Sequence, residues 1–398
     1  MTYYTDFSKS NNSKRLSITK NSETFEPEFN KNLPIKFNTN SEGFYIVNYP
    51  INEWKRWVDL LKDEDKSKNL KLTSQDMSHL LFDASLLSGA GYLSYDISFG
   101  LTQSLREKED FSLWATGSNI INNLWSYFRA STSADDVDKL FESAFMNYSQ
   151  SLVENIYNKY GIQNERNENN YLQKERLRQT VSAFACHYGL TRCLLEAQVE
   201  FSKWKQNKDY ILSPNVRATI FRYAIQESKD SNKDWNFMWK KYLDENRVAV
   251  KLDYLQALAS SQDRTILKEF LQLSLKPDTV RRQDYLSLWA YITRTSIGHE
   301  VAWKFFKDNI NVIRNERLTS GQIGTVAGYF ANYITKQQQY DELVQFFTSN
   351  SQASISTVAL ERAVQTMTSN QNWNKKYKND VFKWLSGNTI KYNNSRFL

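Results

Sequence analysis

The chain has 398 residues with 11 Trp, 23 Tyr and 23 Phe, so it is long and aromatic enough to bury a large core. Its net charge of +7 comes from 51 basic and 44 acidic residues that are interspersed. Nucleic-acid binding needs a basic stripe or a recognised module, so this pattern argues against a nucleic-acid partner. No apolar window reaches the roughly 18 residues of a membrane-spanning helix, and the N-terminus lacks signal-peptide features. The sequence thus predicts neither a transmembrane helix nor a signal peptide, and it leaves the cellular compartment undetermined.

Residues 1–49 are predicted to form short β-strands. Ile35 and Phe37 alternate with polar residues, a polar turn follows them, and the segment from Phe44 to Tyr49 is aromatic and β-branched. Three of the five prolines also lie among the first 50 residues. This change of composition predicts a boundary between a small β-region and the remainder of the chain.

From residue 50 onward the hydrophobic period becomes that of α-helices. There is no proline between Pro50 and Pro214, and proline inside a helix costs about 3 kcal/mol. Three apolar stripes follow the helical spacing, namely Met77, Leu80, Leu81, Ala84 and Leu87, then Tyr285, Leu288, Trp289 and Ile292, and then Leu360, Ala363, Val364 and Met367. Helix start signals are Thr73 with Asp76, Ser133 with Asp136, Ser213 with Pro214, and Thr319 with Gln322.

The fold class predicted from these elements is mainly α. We expect helices of about 10–18 residues joined by short polar loops, the longest of which runs from Gln163 to Asn170. Short loops make neighbouring helices antiparallel, and many such pairs in series form a curved α-solenoid. No fixed-period repeat is present, so the stack should be irregular. We expect the helical domain to span 50–386 and a polar tail to span 387–398.

A metal site is not expected within this chain. His299 and Glu300 resemble the start of a zinc-binding helix, but the required second histidine, four residues after the first, is replaced by Trp303. The other two histidines, His79 and His187, lie far away in the sequence. We therefore predict no metal, no cofactor and no catalytic residue in this chain.

The two cysteines, Cys186 and Cys193, have two possible fates. His187 adjoins Cys186, but adjacent side chains on a helix point apart and cannot act as nucleophile and base. Along an unbroken helix the two Cα atoms would lie about 10.5 Å apart, too far for a bridge. Gly189 followed by Thr191 predicts a helix stop and a new start, which would let the sulfurs meet. We expect a disulfide in an oxidising compartment and free thiols otherwise.

A series of short motifs resembles the C-terminal region of the aminopeptidase N-type zinc aminopeptidases, which include the endoplasmic-reticulum aminopeptidases. The matching segments are Leu33–Tyr49, Leu80–Gly91, Phe111–Trp114, Ala185–Cys193 with Phe201 and Trp204, Ser213–Arg217, Trp235–Trp239, Lys276–Asp284, Gly298 with Trp303, and Asn372–Trp373 with Trp384–Leu385. Each motif is short, but together they keep the family's order over about 350 residues. The resemblance therefore covers most of the chain.

The resemblance implies a bowl of irregular helical pairs, preceded by a remnant of a β-sandwich, that closes over a peptide cavity. In the full enzymes the zinc ion and the catalytic residues lie in an upstream domain, whose His-Glu-x-x-His motif is not found in this sequence. Arg281 and Arg282 are the candidate basic residues of the peptide cavity. Ile46 replaces an arginine of the family, and Arg222 and Ser260 stand where many members have a second cysteine pair.

The leading interpretation is a non-catalytic, cavity-forming region of an aminopeptidase, encoded as a truncated paralogue or an incomplete gene model. Its role would be linked to peptide binding and peptide catabolism. Its expected partners are peptides or another aminopeptidase chain. Because only part of a sandwich is present, we expect residues 1–49 to be the least stable part. One alternative is a fragment of a longer, active zinc aminopeptidase. The other is an α-solenoid scaffold that binds proteins.

Overall fold

A computed structural model describes residues 2–4, 13–15, 33–63, 72–129, 136–162 and 171–388. The main helices are α1 (Ile51–Lys62), α2 (Ser74–Gly89), α3 (Tyr95–Thr102), α4 (Phe111–Arg129), α5 (Asp136–Tyr160), α6 (Tyr171–His187), α7 (Thr191–Gln206), α8 (Arg217–Gln226), α9 (Ser231–Asp244), α10 (Val248–Leu258), α11 (Arg264–Ser274), α12 (Tyr285–Ile292), α13 (Ser296–Asp308), α14 (Ser320–Ala331), α15 (Gln337–Ser349) and α16 (Thr357–Asn388). The predicted helical class is confirmed. None of these helices is both long and apolar enough to cross a membrane.

Shorter elements complete the described part of the chain. They are the 3₁₀ turns Thr39–Ser41, Gln103–Glu107, Arg282–Asp284 and Ser351–Ala353, the helical turn Ile310–Val312 and the π-helical segment Ile313–Arg317. The strands β1 (Thr2–Tyr4), β2 (Ser13–Arg15) and β3 (Lys36–Phe37) form a small antiparallel sheet in the order β2-β1-β3. Most of the long helices pack against the next or next-but-one helix, as expected for stacked helical pairs.

The helix start signals correspond to real caps in two cases. Thr73 and Thr319 each form a complete capping box with the residue three positions later. Ser133 lies outside the described residues. At Ser213 the outcome differs, because the backbone N–H groups of Val216 and Arg217 both bond to the Ser213 carbonyl, at 3.2 and 3.0 Å. This forms a turn first, and α8 begins three residues later than the Ser-Pro signal predicted.

The predicted apolar stripes form the core. All residues of the first two stripes are buried, and the ring of Trp289 contacts those of Tyr285, Phe306 and Phe330 at centroid distances of 5.1–6.2 Å. In the third stripe Ala363 is buried, whereas its neighbour Leu360 is half-buried. Helical period therefore predicted the inward faces of the first two stripes, because side chains three and four residues apart share one face of a helix.

The last helix is much longer than predicted and returns to the beginning of the helical region. α16 has 32 residues, and it packs against α14 as well as α3, α4 and α5. The ring of Trp373 meets Tyr95 and Tyr127, and Trp384 stacks on Phe99 at 5.4 Å. The side-chain amide of Asn374 donates to the Tyr127 carbonyl at 2.6 Å. The two ends of the helical stack are thereby joined.

The segment 44–49, predicted as a strand, is irregular in the structure. At its centre a side chain takes the place of a neighbouring strand: the Val47 N–H donates to Asp83 Oδ2 at 2.9 Å. The Tyr49 hydroxyl in turn accepts the Phe37 N–H at 3.1 Å. A backbone group that is satisfied in this way needs no ladder partner, so no strand forms here.

A cluster of buried polar side chains connects residues 36–49 to α2. Lys36 and Asp76, both fully buried, lie 3.6 Å apart, and the Lys36 ammonium also donates to the Phe37 carbonyl at 2.6 Å. Burial raises the pKa of Asp83 to about 6, against the opposing effects of the Val47 N–H and the Lys36 charge. Asp76, His79 and Asp83 lie on one face of α2 and therefore connect this helix to residues 36–49. His79 Nδ1 is 3.3 Å from Asp83 Oδ2.

The raised pKa of Asp83 predicts a defined pH dependence of stability. Folded Asp83 binds its proton more tightly than the unfolded carboxyl, whose pKa is about 3.9. Its contribution to the free energy of unfolding is therefore fully present below about pH 4 and is lost as the pH rises through about 6. As the pH rises from 4 to 7, the free energy of unfolding of Asp83→Asn should increase by about 1–3 kcal/mol relative to that of the wild type. Urea unfolding at each pH measures this difference.

The exposed Asp59 of α1 offers a matched control. The difference between Asp59→Asn and the wild type should stay nearly constant over the same pH range. His79, whose pKa burial lowers, changes stability in the opposite direction and contacts Asp83, so the comparison is repeated in a His79→Gln background. A difference between Asp83→Asn and wild type that does not change with pH would contradict the assignment.

Candidate functional site

A cavity of about 510 Å³ opens between α4, α6, α8 and the ends of α12 and α14. Helices α4 and α6 line it with one face each, because their contributing residues recur every three or four positions. The lining residues are Phe111, Ala115, Ser118, Asn119, Asn122, Trp125, Ser126, Thr180, Ala183, Phe184, His187, Arg222, Arg294 and Tyr333. This lining combines aromatic rings with hydroxyl and amide groups, and it contains two arginines but no carboxylate.

Arg222 and Arg294 are the charged groups of this cavity. Each guanidinium lies over the ring of a nearby tyrosine, Arg222 at 4.9 Å from the centre of Tyr223 and Arg294 at 5.1 Å from that of Tyr291. Burial lowers the pKa of Arg294, and the positive charge of Arg222 lowers it further. Neither arginine is ion-paired with a carboxylate of the described residues. Since arginine stays charged at neutral pH, the cavity holds two like charges that repel each other.

The remaining polar groups of the cavity are held by their own neighbours. Asn122 accepts a hydrogen bond at 2.9 Å from the hydroxyl of Tyr188, which is itself fully buried. His187 Nδ1 lies 3.5 Å from the Tyr223 hydroxyl. The lining residues include no Cys, Asp, Glu or Lys, so they offer no thiol nucleophile and no carboxylate that could act as a general base. The arrangement is suited to binding a polar, negatively charged ligand.

Cys186 adjoins the cavity residue His187 at the end of α6, and Cys193 lies on the following helix, α7. Helix α6 ends at His187, Gly189 adopts a positive φ of 76°, and α7 begins at Thr191, so the helix breaks where the sequence predicted. The Cα atoms of Cys186 and Cys193 are 5.2 Å apart, and the two residues are joined as a disulfide. Whether the bridge forms in solution stays a prediction, because it depends on the compartment.

Arg281 and Arg282, the arginines singled out in the sequence, do not line the cavity. The Nε of Arg281 donates to Asp284 at 2.6 Å, and Arg282 is exposed. Their assignment to a peptide cavity stays a prediction. The residues that the sequence reasoning missed as a site are Arg222 and Arg294. A usable signal existed, since Arg222 is the one charged residue inside the apolar run from Thr219 to Ile225.

The three histidines are held apart on different helices. His299 is buried, with Nε2 3.1 Å from the Phe330 carbonyl, and Glu300 pairs with Arg264 through both oxygens at 2.7 Å. His79 belongs to the cluster on α2, and His187 faces the cavity. Within the described residues no group of three or more His, Cys, Asp or Glu side chains could hold a metal ion.

Residues 34–369 match the model of the ERAP1-like C-terminal domain. The chain belongs to this family. Relatives include the thyrotropin-releasing hormone-degrading ectoenzyme of Rattus norvegicus, 27% identical over 367 residues that make up 87% of this chain and 32% of the relative.

Two further relatives are glutamyl aminopeptidase of Homo sapiens and aminopeptidase N of Canis lupus familiaris. The first is 27% identical over 376 residues, with 94% of this chain and 37% of the relative covered. The second is 25% identical over 367 residues, with 89% and 36% covered. The chain therefore spans about a third of the length of these curated relatives.

Reduction of the disulfide should destabilise the protein. The bridge between Cys186 and Cys193 closes a short loop, and loop closure of this size is worth about 2 kcal/mol. We expect the free energy of unfolding, measured by urea titration with and without a phosphine reductant, to fall by about that amount. The double variant Cys186→Ala/Cys193→Ala is the control and should not respond to the reductant. An equal response in both proteins, or two alkylatable thiols in protein secreted from cells, would contradict the bridge.

The purified chain should carry no stoichiometric zinc and should hydrolyse no aminoacyl substrate. A zinc site needs three or four converging ligands, whereas the three histidines lie on separate helices. The measurement is elemental analysis after dialysis against zinc, together with a fluorogenic aminopeptidase assay. One tightly bound zinc ion per chain would refute this prediction.

Proposed function

We propose that this chain is the cavity-forming C-terminal region of an aminopeptidase-like protein and that it binds peptides in the cavity lined by α4 and α6. Membership of the ERAP1-like C-terminal domain family supports the assignment to the C-terminal region. The cavity supplies a polar, aromatic surface of a size suitable for part of a peptide. In this proposal the stacked helical pairs form an irregular solenoid whose inner surface meets the peptide, and the domain serves peptide catabolism by holding substrates.

The observation that carries the proposal is the pair Arg222 and Arg294. Two guanidiniums at one cavity, without a carboxylate partner among the described residues, leave several N–H donors for a ligand. A carboxylate of a peptide accepts such donors strongly, and it also relieves the repulsion between the two cations. Tyr333 and Asn122, on the same lining, supply polar groups for the peptide backbone.

A longer, active zinc aminopeptidase is the second candidate. It is favoured by one observation, namely that the matched relatives are about three times as long as the aligned region and carry aminopeptidase names. In that case the zinc ligands and the catalytic base would come from residues outside this chain, and the cavity would hold the far part of the substrate. Coding sequence in the same frame with a His-Glu-x-x-His helix would decide for this candidate.

Peptide binding should depend on the two cavity arginines. We expect the full chain to bind a fluorescent peptide of about ten residues with a free carboxylate, as followed by anisotropy. The double variant Arg222→Gln/Arg294→Gln should bind it at least about tenfold more weakly, because hydrogen bonds to charged groups are worth about 1.5–3 kcal/mol. Urea unfolding of the variant checks that the fold is intact.

The matched control is Arg282→Gln, an exposed arginine outside this cavity. It should leave the affinity for the peptide unchanged. If Arg282→Gln weakens binding while the double variant does not, the site predicted from the sequence is right and the cavity described above is wrong. No binding by the wild type at millimolar peptide would reject the proposed function altogether.

A further inference from the structure

A second group of cations lies outside the cavity, around Tyr242. It forms where α9, α10, the turn before α12 and the π-helical segment meet. Arg317, from that segment, is 3% exposed, and its guanidinium lies 4.5 Å from the centre of the Tyr285 ring. The ammonium of Lys251 lies 4.7 Å from the centre of the Tyr242 ring. Arg281 approaches Tyr242 from the turn and is about one-third exposed.

These cations outnumber the acids near them. The one carboxylate inside the group, Asp284, is paired with Arg281 at 2.5 Å. The next acid, Glu245, is bound through both oxygens by Arg247, at 3.0 and 2.8 Å, and is thereby neutralised. Arg317 has no ion pair within the described ranges. Three cations and one available carboxylate leave two positive charges uncompensated.

Buried donors in this group also lack acceptors. One Nη of Arg317 donates to the Val280 carbonyl, but its Nε–H is buried and makes no hydrogen bond. The hydroxyl of Tyr242 is buried and approached by the Arg281 backbone N–H, but its own proton likewise has no acceptor among the described residues. An unpaired buried donor lowers the stability of the folded state, and an uncompensated buried charge lowers it more. A site with this composition is stabilised by an acceptor that carries negative charge.

We propose that this group binds a small inorganic anion of the chloride class between Arg281, Arg317 and the Tyr242 hydroxyl, with Lys251 at the rim. The size follows from burial, since Arg317 and Tyr242 are almost fully enclosed and only the other two cations reach solvent. The lowered pKa of Lys251, caused by burial and then by the Arg281 charge, agrees with an excess of positive charge. The inference is independent of peptide binding.

Thermal unfolding of the full chain in sodium chloride and in sodium gluconate at equal ionic strength tests the proposal. A bound anion stabilises the folded state by mass action, so the melting temperature should rise with chloride and level off. At chloride well above the dissociation constant we expect a gain of about 3 °C over gluconate. Equal melting temperatures in the two salts would overturn the proposal.

Variants locate the effect. Lys251→Met removes a half-exposed cation at the rim and should raise the half-saturating chloride concentration by about tenfold. Lys240→Met, which removes an exposed cation from α9, is the matched control and should behave like the wild type. Half-saturation at the same chloride concentration in Lys251→Met and wild type would overturn the site.

Crystals of the full chain soaked in sodium bromide give a direct readout. Bromide replaces chloride and scatters anomalously, so a peak is expected between the Arg281 and Arg317 guanidiniums, near the Tyr242 hydroxyl. A map without a peak at this position would overturn the proposal even if chloride stabilised the protein.

Discussion

The contact on which the rest of the structure depends is the return of α16 to the first helices. A stack of helical pairs is open at both ends, and an open end exposes apolar surface to water. Here the rings of Trp373 and Trp384 cover the surface of α3, α4 and α5, so one long helix joins the last helices to the early ones. The Asn374 amide, bonded to the Tyr127 carbonyl, fixes the position of the helix along its axis. The cavity is bordered by the same α4, so its geometry follows from this closure.

Charge is distributed unevenly inside this frame. Many cations of the described residues pair with a nearby carboxylate, as Arg217 does with Asp253 at 2.9 Å. Arg222 and Arg294 are different, because neither is paired with a carboxylate of the described residues, and the positive charge of Arg222 lowers the pKa of Arg294. Keeping two half-buried cations together without a counter-charge costs stability, and such a cost is typical of sites that are completed by a ligand. This contrast separates the candidate site from the ordinary ion pairs of the surface.

Local sequence signals predicted the features that depend on local physics. Helical stripes, the caps at Thr73 and Thr319 and the break at Gly189 follow from side-chain period, hydrogen-bond geometry and backbone freedom, which neighbouring residues determine. The irregular path of 44–49 and the length of α16 depend on distant partners, Asp83 in the first case and the early helices in the second. Arg222 and Arg294 are 72 positions apart, so no local pattern could show that they share a cavity.

The polar cluster on α2 has a consequence for how the segment 36–49 can move. An apolar contact tolerates sliding, because one methyl group replaces another at little cost in energy. A contact made by Lys36, Asp76 and Asp83 has defined directions, and a shift by one residue would leave buried charges without partners. Partial detachment of this segment is thus disfavoured, and we expect the segment to detach from α2 cooperatively, in a single step. Any domain attached through this segment would inherit a fixed orientation relative to the helices.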